Sequence, residues 1–431
     1  MQTQNVPTEE LQSIVGEEHV RQAFDADAVD ADAVDGVEPS LVVEPGTLEE
    51  TSEVMKLASR EGLAVSPRGG GTKMGLGNPP RRVDLILSTV RMDAIIEHVP
   101  GDQIVRAQAG LKLQDLQESL AESDQMLGLD PPEEGATIGG IVAANASGPR
   151  RLRYGTVRDL IIGIKLVLAD GTVAKAGGKV VKNVAGYDLS KLFTGSLGTL
   201  GVIVEANFRL HPIRESARTV FLEVDDPEQL PEVARAYTHS SFSQFVLDAL
   251  ELRWENDRGV IAALFEGIEP AVEAQSSAAT ELLRSHGEAN VLGKDDGDEF
   301  WESFARRPWA TGEVALKIGA PPSELAAVLD SVLGAANRAG VEARLSGHAG
   351  TGVTFAGLSG EDDGLVDVVE EVREIRVRRG GSVVVQEAPL TIKERLDVWG
   401  PAGDYLGLTR RVKEKFDPGY IMNPGRFLGG I

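Results

Sequence analysis

Residues 67–75 read PRGGGTKMG, with three successive glycines following a short apolar run. Glycine has no Cβ, so a ligand can approach its backbone closely, and successive N–H groups can form an anion-binding concavity. The stretch matches neither GxGxxG nor the nucleoside-triphosphate loop that ends in GK[ST]. Taken alone, it is compatible with a pyrophosphate site, but a glycine run is more often a surface turn.

Two further glycine-rich segments follow. Residues 135–159 read GATIGGIVAANASGPRRLRYGTVRD, and residues 179–210 read KVVKNVAGYDLSKLFTGSLGTLGVIVEANFRL. Small residues in both would admit a flat or phosphate-bearing ligand, but tight internal packing explains them as well. The arginines at 150–153 fit three roles that the sequence does not separate: binding a phosphate, binding a substrate carboxylate, or contacting a partner.

Strands alternate with helices around these segments, which predicts a mixed α/β domain over 38–214. Its clearest helix is 47–62, with Thr47 as the cap, Glu50 completing a capping box and Gly62 as the stop. Residues 215–395 instead favour an α+β cap domain with an antiparallel sheet. The tail at 396–431 is too short to fold alone and is expected to pack back on the first domain.

The acidic segment 1–37 is predicted to be flexible. It contains the tandem duplication DADAVDADAVD at 25–35, which reads as a solvated linker. The whole chain has 431 residues and a net charge of −24, so nucleic acid and anionic membranes are not expected partners. The same acidity suggests a halophilic host, although an ordinary acidic enzyme fits too.

Several classes of site are excluded by composition. The chain has no cysteine, which excludes disulfides, cysteine-ligated iron–sulfur clusters and a cysteinyl flavin. The six histidines lack metal-ligand spacing, and no metal is predicted. With no secretory signal and no apolar run of about 18 residues, the expectation is a cytoplasmic protein without direct membrane insertion.

Together the three segments resemble the FAD-linked oxidases of the vanillyl-alcohol oxidase / p-cresol methylhydroxylase (PCMH) type, and within them the FAD-binding subunit of glycolate oxidase. The likeness is carried by GPRR (148–151), KNVAGYDLS (182–190) and NPGR (423–426). It implies an α+β fold: a two-subdomain PCMH-type FAD-binding domain, an antiparallel-sheet cap and a C-terminal return segment.

The resemblance also implies the residues that contact FAD. No histidine lies near the glycine loop and the chain has no cysteine, so the flavin is expected to be non-covalent. The implied contacts are Pro67, Arg68, Gly69, Gly70, Gly71, Thr72, Pro132, Thr137, Gly139, Gly140, Ser147, Arg158, Asp159, Gly201, Val202, Ile203, Asn423 and Arg426.

The implied reaction is oxidation of a 2-hydroxy acid such as glycolate or D-lactate, with hydride passing to flavin N5. Candidate catalytic residues are His348, Tyr187 and Lys182, although His348 could be a structural residue and Tyr187 a core aromatic. Related dehydrogenases carry HAGDGNxH and GEHG stretches. Here SGHAGTGVTFAG (346–357) and GGSVVVQEAPL (380–390) keep too few of those ligands to hold a metal.

The resemblance implies partners too: a larger FAD-linked oxidase subunit and an iron–sulfur subunit. Two functions therefore compete at this stage. Either the chain oxidises the 2-hydroxy acid on its own flavin, or it is a non-catalytic flavin-bearing assembly or electron-relay subunit whose metal-dependent sister chain performs the oxidation.

Overall fold

The computed structural model describes residues 6–23, 32–178, 188–239 and 245–431. The helices are α1 Thr8–Val15, α2 Leu48–Glu61, α3 Leu113–Ala121, α4 Ile138–Ala144, α5 Arg151–Tyr154, α6 Val157–Leu160, α7 Leu189–Phe193, α8 Gln229–His239, α9 Glu269–Leu283, α10 Lys294–Phe304, α11 Leu325–Ala339, α12 Asp362–Arg378, α13 Leu390–Lys393 and α14 Leu406–Phe416. The strands are β1 Val20–Gln22, β2 Leu41–Val43, β3 Val65–Arg68, β4 Leu85–Ser88, β5 Ile95–Val99, β6 Ile104–Gln108, β7 Gln125–Met126, β8 Ile161–Val167, β9 Val173–Gly177, β10 Val202–Arg209, β11 His211–Pro212, β12 Ser216–Val224, β13 Ala249–Glu255, β14 Arg258–Gly267, β15 Asn290–Leu292, β16 Val314–Gly319, β17 Glu342–His348, β18 Val353–Ser359 and β19 Ser382–Glu387.

The chain divides into two compact units. The first unit comprises Met1–Ala146, Thr156–Pro212 and Pro401–Ile431, and the second comprises Ser147–Gly155 and Ile213–Gly400. The short arginine-rich stretch thus belongs with the second unit, whereas the sequence placed it inside a continuous 38–214 domain. Among the described residues, no helix has the length and apolar character that crossing a membrane requires.

Two larger sheets build the first unit, beside the short two-stranded sheet β11-β7. One has the order β1-β2-β4-β3, in which β2, β4 and β3 run parallel, and the other is the antiparallel sheet β5-β6-β10-β8-β9. Helix α2 begins as predicted, with the Thr47 side chain accepting from the Glu50 N–H at 3.0 Å, and it ends at left-handed Gly62. The Glu50 carboxylate accepts from the N–H of Gly46, one residue earlier than a capping box requires.

The tail joins the first sheet beside the glycine loop. The N–H of Val65 donates to Ile421 O at 2.7 Å, and the N–H of Asn423 donates to Val65 O at 2.9 Å. Behind this pairing, the fully buried Lys413 donates to the carbonyls of Thr199 and Met422 and lies 2.6 Å from Asp417. The return segment is therefore fixed to β3 by backbone hydrogen bonds, and the Lys413–Asp417 ion pair stabilises the segment internally.

The described part of the N-terminal segment differs from the flexible linker that composition suggests. Helix α1 buries Leu11, and β1 pairs antiparallel with β2. Beyond the gap at 24–31, Val34 is fully buried and pairs with Val37 in a tight turn. Apolar residues interspersed among the acids give this segment enough buried surface to pack.

An eight-stranded sheet dominates the second unit, in the order β15-β12-β14-β13-β17-β18-β16-β19. All its pairings are antiparallel, which confirms the expected sheet. Leu250 and Leu252 of β13 pack in a core shared with helices α8, α9, α11 and α12. Because side chains alternate along a strand, Glu251 lies on the opposite face. Strand β18, absent from the sequence prediction, completes that face.

Candidate functional site

A cleft in the first unit brings together residues from all three glycine-rich segments and the tail. A concave site lined by backbone and a few polar side chains is typical of small-molecule and cofactor binding. The predicted FAD contacts that line it are Pro67, Arg68, Gly69, Gly70, Gly71, Thr72, Thr137, Gly139, Gly140, Gly201, Val202, Ile203, Asn423 and Arg426.

The glycine loop lies so close to its neighbours that side chains are excluded. A Cβ at Gly69 would come within 2.1 Å of Thr137 Oγ1, and a Cβ at Gly70 within 2.1 Å of Gly135 O. The N–H of Gly70 donates to Thr137 Oγ1 at 3.3 Å. The loop is thus held against the start of α4, which exposes bare backbone to the cleft, as a pyrophosphate requires.

Two buried oxygen atoms of the cleft have no hydrogen-bond partner: Ser66 Oγ and Asn423 Oδ1. The Asn423 amide is fixed by its other end, since Nδ2 donates to Leu197 O at 2.7 Å. Buried polar atoms are normally satisfied, so these two fit a site whose polar ligand completes them. The loop without side chains and the two unsatisfied oxygens both suit FAD.

Three cations line the cleft, and each is held by a carboxylate. Lys73 Nζ lies 2.6 Å from Glu133, and Arg426 Nη1 lies 3.7 Å from Asp35. Arg68 Nη1 donates to Asp32 Oδ1 at 2.6 Å.

Four predicted FAD contacts do not line this cleft: Pro132, Ser147, Arg158 and Asp159. Ser147 belongs to the second unit. Arg158 is exposed, and the Asp159 carboxylate accepts from the N–H of Thr156 at 2.8 Å, which caps α6. Lys182 and Tyr187 lie outside the described residues.

A buried histidine–carboxylate pair lies on the polar face of the second unit's sheet. Strands β13 and β17 pair so that Glu251 faces His348, and His348 Nδ1 lies 2.8 Å from both Glu251 carboxylate oxygens. A carboxylate accepts, so Nδ1 carries the proton and Nε2 of the neutral ring keeps its lone pair. His348 Nε2 is buried and has no hydrogen-bond partner.

Cations surround this pair. Burial holds the pKa of His348 well below its usual value, and the positive charges of Arg307, Arg151 and Lys317 lower it further. The Arg307 guanidinium stacks 4.1 Å from the centre of the Phe355 ring. The result is a neutral, oriented imidazole beside fixed positive charge, which suits a base acting on an anionic substrate.

The arginine-rich stretch makes ion pairs within the second unit. Arg150 donates to Glu266 at 2.8 Å, and Arg153 lies 3.7 Å from Asp248. Burial raises the pKa of Asp248 to about 6. These contacts fix α5 to β13 and β14, whereas Arg151 is among the cations near His348.

No group of three histidine, cysteine, aspartate or glutamate side chains within the described ranges could hold a metal ion. The segment 380–390 was compared above with a metal-ligand stretch of related dehydrogenases. Its Glu387 accepts a hydrogen bond from Trp309 Nε1 at 2.9 Å. Sequence reasoning missed Glu251 and Arg307. The signal available for Glu251 was a carboxylate set between two leucines in the strand ALELRWE.

Comparison with known proteins agrees with the cleft. A family model described as FAD binding domain matches residues 39–177. D-lactate dehydrogenase of Archaeoglobus fulgidus is 28% identical over 90% of this chain and 90% of its own length. Glycolate oxidase subunit GlcD of Bacillus subtilis is 26% identical, covering 90% of this chain and 88% of its own.

The fold agrees as well. A crystal structure of p-cresol methylhydroxylase with substrate bound superposes with a TM-score of 0.77 at 16% identity, over 97% of this chain and 95% of that one. The chain therefore has the PCMH-type fold, is similar in sequence to the dehydrogenase and the oxidase subunit named above, and uses FAD as its cofactor.

Proposed function

We propose that this chain, a flavoprotein with a PCMH-type fold, oxidises a 2-hydroxy acid to the 2-oxo acid, with glycolate or D-lactate as the first candidates. The observation that carries the proposal is the Glu251–His348 pair, whose buried Nε2 lacks a partner. The substrate class is also that of the relatives named D-lactate dehydrogenase and glycolate oxidase subunit.

Residues of both units have a role in the proposed reaction. Arg307, Arg151 and Lys317 supply positive charge for the substrate carboxylate. His348 Nε2 takes the hydroxyl proton, while Glu251 holds the ring and stabilises the imidazolium that forms. Bound FAD supplies the acceptor for the hydride that leaves Cα. In the first unit, the glycine loop and Asn423 bind and orient this cofactor.

The pH dependence follows from the lowered pKa of His348. A base with a depressed pKa stays unprotonated as the pH falls through the ordinary imidazole range. The rate of flavin reduction is therefore expected to stay constant through pH 6.5 and to fall only at more acidic pH. A rate that drops by half near pH 6.5 would contradict the assignment of His348.

We extend the proposal to a cytoplasmic glycolate oxidase-like complex with a larger FAD-linked oxidase subunit and an iron–sulfur subunit. The support for a complex is that the Bacillus subtilis relative is named as a subunit of glycolate oxidase. Co-purification of the chain from its native host, followed by identification of the associated polypeptides, tests this step. Recovery of the chain alone from gently lysed cells would count against the complex.

The central experiment is anaerobic addition of D-lactate or glycolate to the flavin-loaded chain, followed by absorbance. Wild type is expected to bleach, and His348→Gln is expected to keep its flavin oxidised. His286→Gln, a half-exposed histidine of the same unit, is the matched control and should bleach like wild type. Bleaching of His348→Gln at the wild-type rate would refute the role of the base. Wild-type flavin that stays oxidised until the partner subunits are added would favour the electron-relay function instead.

A further inference from the structure

A carboxylate from the acidic N-terminal segment is bound to the arginine of the flavin loop. Asp32 is only 4% exposed, and its Oδ1 accepts from Arg68 Nη1 at 2.6 Å. Arg68 lines the FAD cleft, and it also lines a second depression that contains Asp32. The guanidinium therefore has an anionic partner within the chain itself.

Arg21 compensates the same carboxylate from the other side. Its Nη1 and Nη2 donate to the two Asp32 oxygens in a bidentate arrangement, the longer bond being 2.9 Å. The hydrogen bonds from Arg21, ahead of those from Arg68, hold the pKa of Asp32 below its usual value. Two guanidiniums thus share one carboxylate, and Asp32 stays paired if Arg68 turns away.

We propose that Asp32 is an internal competitor for Arg68, which exchanges this carboxylate for the FAD pyrophosphate, and that Arg21 is the counter-ion that makes the exchange possible. The inference rests on the pyrophosphate lying at the glycine loop. Departure of Arg68 costs Asp32 one hydrogen bond while the bidentate pair remains, so no buried charge is left alone. Asp32 then weakens FAD binding, and Arg21 strengthens it.

Replacing Asp32 and replacing Arg21 should shift FAD affinity in opposite directions. Asp32→Asn frees Arg68 and is expected to lower the Kd for FAD about tenfold, equivalent to about 1.4 kcal/mol. Arg21→Gln leaves Asp32 dependent on Arg68 and is expected to raise the Kd about tenfold. Glu38→Gln removes one charge from an exposed position of the same segment and is the matched control, with no expected change.

The test is a fluorescence titration of each purified apoprotein with FAD, and folding is checked by circular dichroism. Opposite shifts in the two variants, with Glu38→Gln unchanged, support the exchange. Weaker binding in both variants would overturn it, because a purely structural tie predicts that result. Equal tightening in Asp32→Asn and Glu38→Gln would also overturn it, since net charge alone would then explain the effect.

The experiment also covers a variant that fails to fold, and it separates this proposal from the proposed oxidation and from the pyrophosphate placement. If Asp32→Asn does not fold, Arg21→Gln decides alone: unchanged or tighter FAD binding refutes the proposal. No 2-hydroxy acid is present in the titration, so its failure leaves the proposed oxidation standing. Failure of the pyrophosphate placement is detected separately, by FAD binding that is unaffected in Gly70→Ala.

Discussion

Gly70→Ala tests the placement of the cofactor with the smallest possible change. The new Cβ would lie 2.1 Å from Gly135 O, whereas real Cβ atoms essentially never come within 3.0 Å of such an atom, so the backbone must move by about 0.9 Å. Both partners are backbone, and no side chain can rotate away. Overpacking of this kind costs about 1–3 kcal/mol of folding free energy. Because the displaced loop no longer fits the pyrophosphate, we expect FAD binding to weaken by a comparable free energy, roughly 5- to 150-fold in affinity.

The assay is FAD titration of the apoprotein together with thermal unfolding. Gly75→Ala is the matched control, because its Cβ would meet no atom within 4 Å. Gly70→Val should abolish flavin retention in a chain that still folds. FAD affinity of Gly70→Ala within twofold of Gly75→Ala would refute the argument that this loop holds the pyrophosphate.

Three further outcomes are expected. Lys413→Met leaves the fully buried Asp417 without its cation and should cost about 3–5 kcal/mol of unfolding free energy, measured by denaturant titration. Burial raises the pKa of Asp248 to about 6, so the folded chain binds that proton more tightly and loses stability as pH rises from about 4 to about 6. The melting temperature of Asp248→Asn minus that of wild type should therefore be larger at pH 7 than at pH 4. Glu251→Gln should keep FAD but slow flavin reduction at least tenfold, because His348 loses the carboxylate that orients it.

Local signals were enough to predict much of the first unit. The cap and stop of α2 depend on residues within a few positions of each other, and the structure confirms the helix from Leu48 to Glu61. The glycine segments were harder, because each alone fits a turn or a packed core. The order of the three segments along the chain resembles that in known flavoproteins and therefore predicted one cofactor site. In the structure, residues of all three segments line a single cleft.

The Glu251–His348 pair of the eight-stranded sheet could not be predicted from the sequence, because it depends on strand register. Glu251 and His348 are 97 residues apart, and they meet because β13 lies beside β17 in a sheet whose strand order departs from chain order. A shift of one residue in that pairing would turn Glu251 away from His348. Strand β18 was missed for a related reason: its sequence was considered as a degenerate metal motif rather than as the run VTFAGLS.

The acidic composition of the chain affects how the cleft can bind an anionic cofactor. A chain with a net charge of −24 repels an anionic cofactor at long range, so binding needs positive charge fixed at short range. Lys73 and Arg426 are each matched by one carboxylate, whereas Arg68 and Arg21 share Asp32. Two guanidiniums therefore meet at Asp32, and one of them, that of Arg68, also lines the cleft. In the proposed site, direct contact with the pyrophosphate depends on Arg68 and on the backbone N–H groups of the glycine loop, which carry no net charge. We therefore expect the strength of anion binding at the proposed site to depend on the ion pairs within a few ångströms of Arg68 more than on the charge of the whole surface.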